Sequence, residues 1–234
     1  MNNYKKTAVI VGVLYILGTL TGILSVIFTG SLLDGPDFLN KIAANQNQFK
    51  IAALCVLAMG FVLAIVSLML YPILKKYNQR LALGYVVFRG ALETVSSIIL
   101  VITWLFLANL SLQYVAGGAV NAFFFQPMGD LFLKGADSIS AVGGLIFSLG
   151  ALMLYYVFYQ SKLVPRWLSV WGFLAIILHL TTIFLIMFNL QSPFSPLNFV
   201  MNFPIFLQEM VMAVWLIVKA FNAQTTNTKI QISN

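Results

Sequence analysis

At 234 residues the chain is long enough for one or two soluble domains, but 61% of it is hydrophobic and only 8% is charged. A soluble protein carries about a quarter charged residues, so this chain has too little polar surface to coat a globule in water. The same apolar mass excludes disorder. The membrane is the remaining solvent.

A spanning helix needs about 20 mostly apolar residues, and six such segments follow one another: residues 8–28, 51–70, 81–107, 139–158, 167–188 and 200–218. Continuous apolar runs without two-residue alternation exclude a β-barrel. The chain therefore reads as an all-α polytopic bundle over residues 1–221, with a disordered polar tail at 222–234. Lys5 and Lys6 precede the first run in the manner of a signal peptide. The run is too long for an ordinary signal core and lacks a clear small-x-small cleavage site, so it reads as an uncleaved first helix. After it, Asp34-Gly35-Pro36-Asp37 predicts a turn leading into a short amphipathic helix. The second span holds Cys55, the only cysteine, so no intrachain disulfide can form, and its position predicts a small buried apolar residue. The 31-residue stretch 108–138, with Gly117-Gly118 and Phe123-Phe124-Phe125, reads as a long loop. Its apolar part, 121–133, would lie on the membrane surface or dip back into the protein.

With the amino terminus placed in the cytoplasm, the inner segments hold Lys5, Lys6, Lys75, Lys76, Arg80, Lys162, Arg166, Lys219 and Lys229 and no acidic residue. The outer segments hold Lys41, Lys50 and Lys134 against Asp34, Asp37, Asp130 and Asp137. The positive-inside rule then puts both termini in the cytoplasm. The net charge of +7 is spread over short loops, so anionic headgroups on the cytoplasmic side, and not nucleic acid, are its expected counterpart. Tyr71, Tyr77, Tyr155, Tyr156, Tyr159, Trp167, Trp171 and Trp215 all fall near inner helix ends, where rings anchor at the headgroup level. The two inner hairpins are short, which makes spans two and three, and spans four and five, neighbours.

Small residues predict close helix approach at Gly18-x-x-x-Gly22 and at Ser140-x-x-x-Gly144-x-x-x-Ser148. Packing within one chain is the plainer reading, and a homodimer face is the alternative. Gly12-Val-Leu-Tyr-Ile-Leu-Gly18 resembles Gly144-Leu-Ile-Phe-Ser-Leu-Gly150, which an inverted three-plus-three repeat or chance similarity of apolar strings would both explain.

Four spans carry no Asp, Glu, Lys or Arg; the third carries Arg89 and Glu93 and the sixth Glu209, while the fifth holds the single histidine, His179. A charge in hydrocarbon costs at least ~2.5–3.5 kcal/mol, so these side chains should avoid lipid. Glu93 lies about 18 Å along an untilted helix from Leu81, and His179 lies equally far past Trp167 on a helix entering from the same side. Arg89, Glu93, His179 and Glu209 can thus meet in one layer, as a candidate polar site. Arg89 and Glu93 are i and i+4 and can pair on one helix. Ser96 and Thr103 extend that stripe along the third span. Glu209 would then be balanced by His179, by its own protonation or by sharing the arginine. With His179 neutral, one arginine faces two carboxylates, and one proton on Glu209 or His179 would neutralise the layer. The structural alternative is an ion pair that only selects which helices pack together. No cofactor is expected. Glu93, His179 and Glu209 are too widely spaced for a recognisable metal motif, and P-loop, dinucleotide, HExxH and GxSxG signatures are absent.

Several strings carry a family resemblance. They are Leu70-Tyr-Pro-Ile-Leu-Lys-Lys76, Ala82-Leu-Gly-Tyr-Val-Val-Phe-Arg-Gly-Ala-Leu-Glu93, Pro165-Arg-Trp-Leu-Ser-Val-Trp-Gly172 and Glu209-Met-Val-Met-Ala-Val-Trp-Leu-Ile-Val-Lys219. Tyr4-Lys-Lys-Thr-Ala8 and Thr29-Gly-Ser-Leu-Leu-Asp34 join them. Together they resemble the bacterial membrane-protein family called domain of unknown function 4386, over nearly the whole chain. The resemblance implies a multi-pass protein of a bacterial plasma membrane. The family-like polar positions are Arg89, Glu93, Arg166 and Glu209; His179 lies outside the strings.

Three functions fit these residues. The first is binding or transport of a small polar or cationic molecule, or of a proton, in an intramembrane cavity. The second is a non-catalytic membrane partner or immunity-type protein acting through 108–138. The third is an intramembrane enzyme with a glutamate as general base.

Overall fold

The structure is a computed structural model that describes residues 3–188, 190–192 and 195–222. The tail expected to be disordered lies outside the described residues from 223 onward. Every regular element among the described residues is helical. They are α1 (Asn3–Thr29), α2 (Phe38–Ala44), α3 (Gln46–Leu74), α4 (Gln79–Tyr85), a π-helical stretch (Val86–Leu92), α5 (Glu93–Ala116), α6 (Gly118–Ser161), α7 (Arg166–Met187) and α8 (Pro196–Val218). Six helical segments are long and apolar enough to cross a membrane, with α4, the π stretch and α5 forming one continuous span.

The spans pack in chain order. The first packs on the second, the second on the third, and so on to the sixth, and α8 returns to pack on α1, closing a ring. Apolar side chains gain little by leaving lipid for one another, so close approach rests on small residues. Gly12 meets the Ala213 carbonyl and Ile217 of α8, Gly18 meets Leu63 of α3, and Gly172 of α7 lies under the Tyr155 ring. The stripe on α6 likewise works within the chain: Gly144 faces Ile183 and His179 of α7.

We call the end of the bundle holding the start of α1 and the end of α8 proximal, and the other distal. The main core, built on residues such as Tyr15, Leu70, Tyr85, Phe158 and Leu168, lies toward the proximal end. There Asn222 ties the end of α8 to the α6–α7 turn, donating to the carbonyls of Leu163 and Lys162. Basic side chains pair with rings at this end: Lys76 lies over Tyr4 and bonds its hydroxyl, Lys75 approaches Tyr71, and Arg166 lies over Tyr159. Tyr155 departs from the expected headgroup role. It is 1% exposed and donates to Gln208 Oε1 at 2.7 Å, because Gly172 lets α7 close over its ring.

The distal end corrects the sequence reading of 108–138. That stretch is helical rather than a loop: α5 continues to Ala116, Gly117 makes the turn, and α6 begins at Gly118. With 44 residues, α6 is about 66 Å long at 1.5 Å per residue, twice the ~30 Å of bilayer hydrocarbon. The extension is stabilised by burial. Phe38, Leu39 and Ile42 of α2 pack against Leu107, Ala108 and Leu110 of α5 and Phe125 and Phe132 of α6. The short helix after the Gly35 turn is therefore present as expected, and Gly35 has the positive φ of 73° such a turn needs. Cys55 lies in the second span but is only partly buried, on a side of α3 that is not fully covered.

Candidate functional site

The third span departs from α-helical geometry where its charges sit. Over Val86–Leu92 the hydrogen bonds widen, and the Glu93 amide donates to the Phe88 carbonyl, five residues back. Neighbouring elements fit around the widened turn. A Cβ on Gly150 of α6 would lie 3.1 Å from the Arg89 backbone nitrogen, and one on Gly90 would collide with the Ser67 hydroxyl of α3. The Thr94 hydroxyl is 2.6 Å from the Gly90 carbonyl and 3.1 Å from that of Gly60 on α3. Glycine on the partner helix lets α6 approach the turn, where Arg89 and Gly90 are buried, and the Thr94 hydroxyl supplies a donor to the Gly90 carbonyl.

Arg89 projects from this turn into the bundle, and its side chain is 5% exposed. Nη1 donates to both carboxylate oxygens of Glu93, at 2.8 and 2.9 Å. Nη2 donates to Glu209 Oε1 of α8 at 3.1 Å. The guanidinium also lies over the Phe147 ring of α6, 4.4 Å from its centroid. Glu209 is thus balanced by the shared arginine, one of the three arrangements the sequence allowed. The planar fork of arginine makes the sharing feasible, since it presents several donors in fixed directions. With a formal charge of +1 against −2, the cluster is one proton or one cation short of neutrality. The hydroxyls of Tyr15, Tyr85 and Tyr155 lie within electrostatic reach of Glu209. Tyr15 and Tyr85 are bonded to each other at 3.0 Å, and this buried layer closes the proximal side of the site.

His179 is in the same region but outside the ion cluster. Its ring packs edge-to-face with Phe147 at 5.1 Å between centroids, so Phe147 touches both the imidazole and the guanidinium. Nδ1 is 2.5 Å from Asn202 Oδ1 of α8. Asn202 Nδ2 donates to the side chain and backbone oxygens of Asn198, which turns the amide oxygen toward the ring. Nδ1 therefore carries the hydrogen, and Nε2 presents a lone pair. That Nε2 is buried, has no hydrogen-bond partner among the described residues, and lies close to Gly144.

All four predicted residues line one cavity of about 760 Å³, to which all six spans contribute. It runs from the ion cluster into the distal half, between Gly18–Ile27 of α1, Val56–Leu63 of α3 and Phe199–Glu209 of α8. Most of its wall is apolar. A second cavity of about 260 Å³ shares His179, Asn202, Ser140 and Gly144 with the first and contains Asp137. Ser96 lines the main cavity, as expected of the stripe on the third span, but Thr103 does not. Ten residues past Glu93 an α-helix has turned by about 280°, and the Thr103 hydroxyl bonds its own helix at Ile99. Among the described residues no three His, Cys, Asp or Glu side chains gather as metal ligands. Sequence reasoning missed Phe147, which bears no polar atom, and Asn202, whose partnership with His179 joins different helices.

The profile described as "Domain of unknown function (DUF4386)" matches residues 10–220. The chain belongs to the DUF4386 family. No curated protein and no solved structure matches it. The DUF4386 match includes Arg89, Glu93, His179 and Glu209, so the whole ion cluster falls within the family domain.

Proposed function

We propose that this DUF4386 protein binds a small polar or cationic molecule, or a proton, in its intramembrane cavity and carries it across a bacterial plasma membrane, with both termini in the cytoplasm. The observation that carries this reading is the sharing of Arg89 between Glu93 and Glu209 at the closed end of the cavity. A purely structural ion pair is best when its charges balance. This one is left with an excess negative charge facing an open space. A proton or a cation can supply the missing charge, and the two exclude each other. Binding of the cation then releases the proton, which is the condition for coupled exchange. The groups facing Glu209 in this scheme are Arg89 and Glu93 of the third span, together with the Tyr15, Tyr85 and Tyr155 hydroxyls. His179 packs against Phe147. The surplus of basic residues at the proximal end supports the cytoplasmic placement of that end.

The test is infrared titration of the carboxyl stretch in the purified protein through the neutral range, together with proton flux in proteoliposomes. The expected result is one titrating carboxyl group whose signal disappears in Glu209→Gln, with flux lost in both Glu209→Gln and Glu93→Gln. An unchanged titration and unchanged flux in both variants would refute the reading.

A further inference from the structure

The glycine contacts hold α1 against α8 toward the proximal end of the ring and against α3 farther along. Gly12 brings α1 against the α8 backbone: a Cβ there would lie 2.6 Å from the Ala213 carbonyl oxygen. Farther along α1 the small residues turn to the other neighbour, Gly18 to Leu63 and Gly22 to Met59, both on α3. Beyond that point Ile23, Val26 and Ile27 of α1 and Phe199 and Phe206 of α8 all line the cavity, and each is also exposed. Val26 is 54% exposed, Ile27 62% and Phe199 56%. Side chains this exposed, lining a cavity along two neighbouring helices, mark its mouth. This mouth extends along α8 for about 10 Å, taking seven residues at 1.5 Å each, and its inner edge, Phe206, is less than a turn from Glu209.

The chemistry of the rim identifies the medium it faces. Among the described residues six that line the cavity are exposed: five are the isoleucine, valine and phenylalanine side chains of α1 and α8, suited to acyl chains, and the sixth, Ser140 of α6, spends its hydroxyl on the Ala136 carbonyl of its own helix. Behind it lie an apolar chamber, a cluster formally one positive charge short of neutrality, and the lone pair of His179 Nε2, which has no hydrogen-bond partner among the described residues. The geometry points to a ligand that enters sideways from the lipid between α1 and α8: a lipid-partitioning amine with a bulky apolar body and one protonated nitrogen. The body fills the apolar chamber. The ammonium is drawn by charge to Glu209 and Glu93, and the imidazole packed on Phe147 offers a neutral acceptor. This rests on the binding reading above and adds to it the class of ligand and its route.

Binding of 1-adamantylammonium and of methylammonium to the full chain in lipid nanodiscs tests the proposal. Both carry the charge and only the first partitions into lipid. Adamantylammonium is expected to bind at least tenfold more tightly than methylammonium, to lose at least tenfold in Glu209→Gln, and to release a proton on binding. Narrowing the mouth with Ile23→Trp and Val26→Trp together should slow its association at least tenfold. Ile10→Trp, on an exposed part of α1 away from the cavity, should leave association unchanged. Equal affinity for the two amines, or association unaffected by the tryptophans, overturns the lipid route while leaving cation binding intact. Loss of the Glu209 dependence for both amines overturns the binding reading itself.

Discussion

Arg89 is the residue on which the site depends, and its removal should cost more than removal of the whole cluster. Breaking a buried ion pair leaves an uncompensated charge, whereas replacing all its members with neutral groups leaves none. Arg89→Met is expected to destabilise the protein by about 3–5 kcal/mol. The triple variant Arg89→Met, Glu93→Gln, Glu209→Gln should recover most of that loss, as read by thermal unfolding in detergent. A triple variant no more stable than Arg89→Met would show that the carboxylates are not the source of the cost. At this scale the sequence was partly legible. Spacing alone pairs Arg89 with Glu93, and the price of intramembrane charge places both away from lipid. That Glu209 shares the same arginine depends on α8 facing the third span across the ring, which no local pattern encodes. The orientation of His179 is set by Asn202 and Asn198 on another helix, and Phe147 carries no sequence signal distinguishing it from the other phenylalanines.

Helices are the elements most legible here, and the reasons for the exceptions are physical. Apolar run length places spans one, two, five and six within about five residues at both ends, because a bilayer demands such runs, whereas the third helix runs on to Gly117 and the fourth begins well before 139. The stretch 108–138 reads as a loop in the sequence because its polar residues, among them Asn109, Gln113, Gln126, Asp130 and Lys134, break the apolar run. Those residues end the match to a bilayer without ending the helix, which is held by packing on α2. The one break in the stretch falls at Gly117, between α5 and α6. The π stretch was invisible, because its hydrogen-bond pattern follows from the close approach of Gly150 and the hydroxyls around it. Glycine contacts give a direct test of the element packing. Gly12→Ala forces a methyl group against the Ala213 carbonyl and Ile217, and overpacking of this kind costs about 1–3 kcal/mol. Gly135→Ala, where nothing lies within 4 Å, should be neutral or stabilising by up to ~1 kcal/mol from helix propensity. Thermal unfolding of the two variants in parallel checks the contrast.

For the whole molecule, the charge asymmetry yields a prediction of orientation. In a Cys55→Ser background, a cysteine at Asn40 is expected to react with a membrane-impermeant maleimide in intact cells, and one at Gln79 only after the cells are opened. Both positions are exposed and lie at opposite ends of the bundle. The reverse pattern would invert the topology. The ring order also has a mechanical consequence. Five of its six joints join helices that follow one another in the chain, so a connecting segment limits how far each pair can separate. The joint between α1 and α8 joins the first span to the last and has no such leash. If the barrel gapes while its connections stay whole, this is the seam along which it is freest to do so, and the narrow waist at Gly12 and Ala213 is the natural pivot.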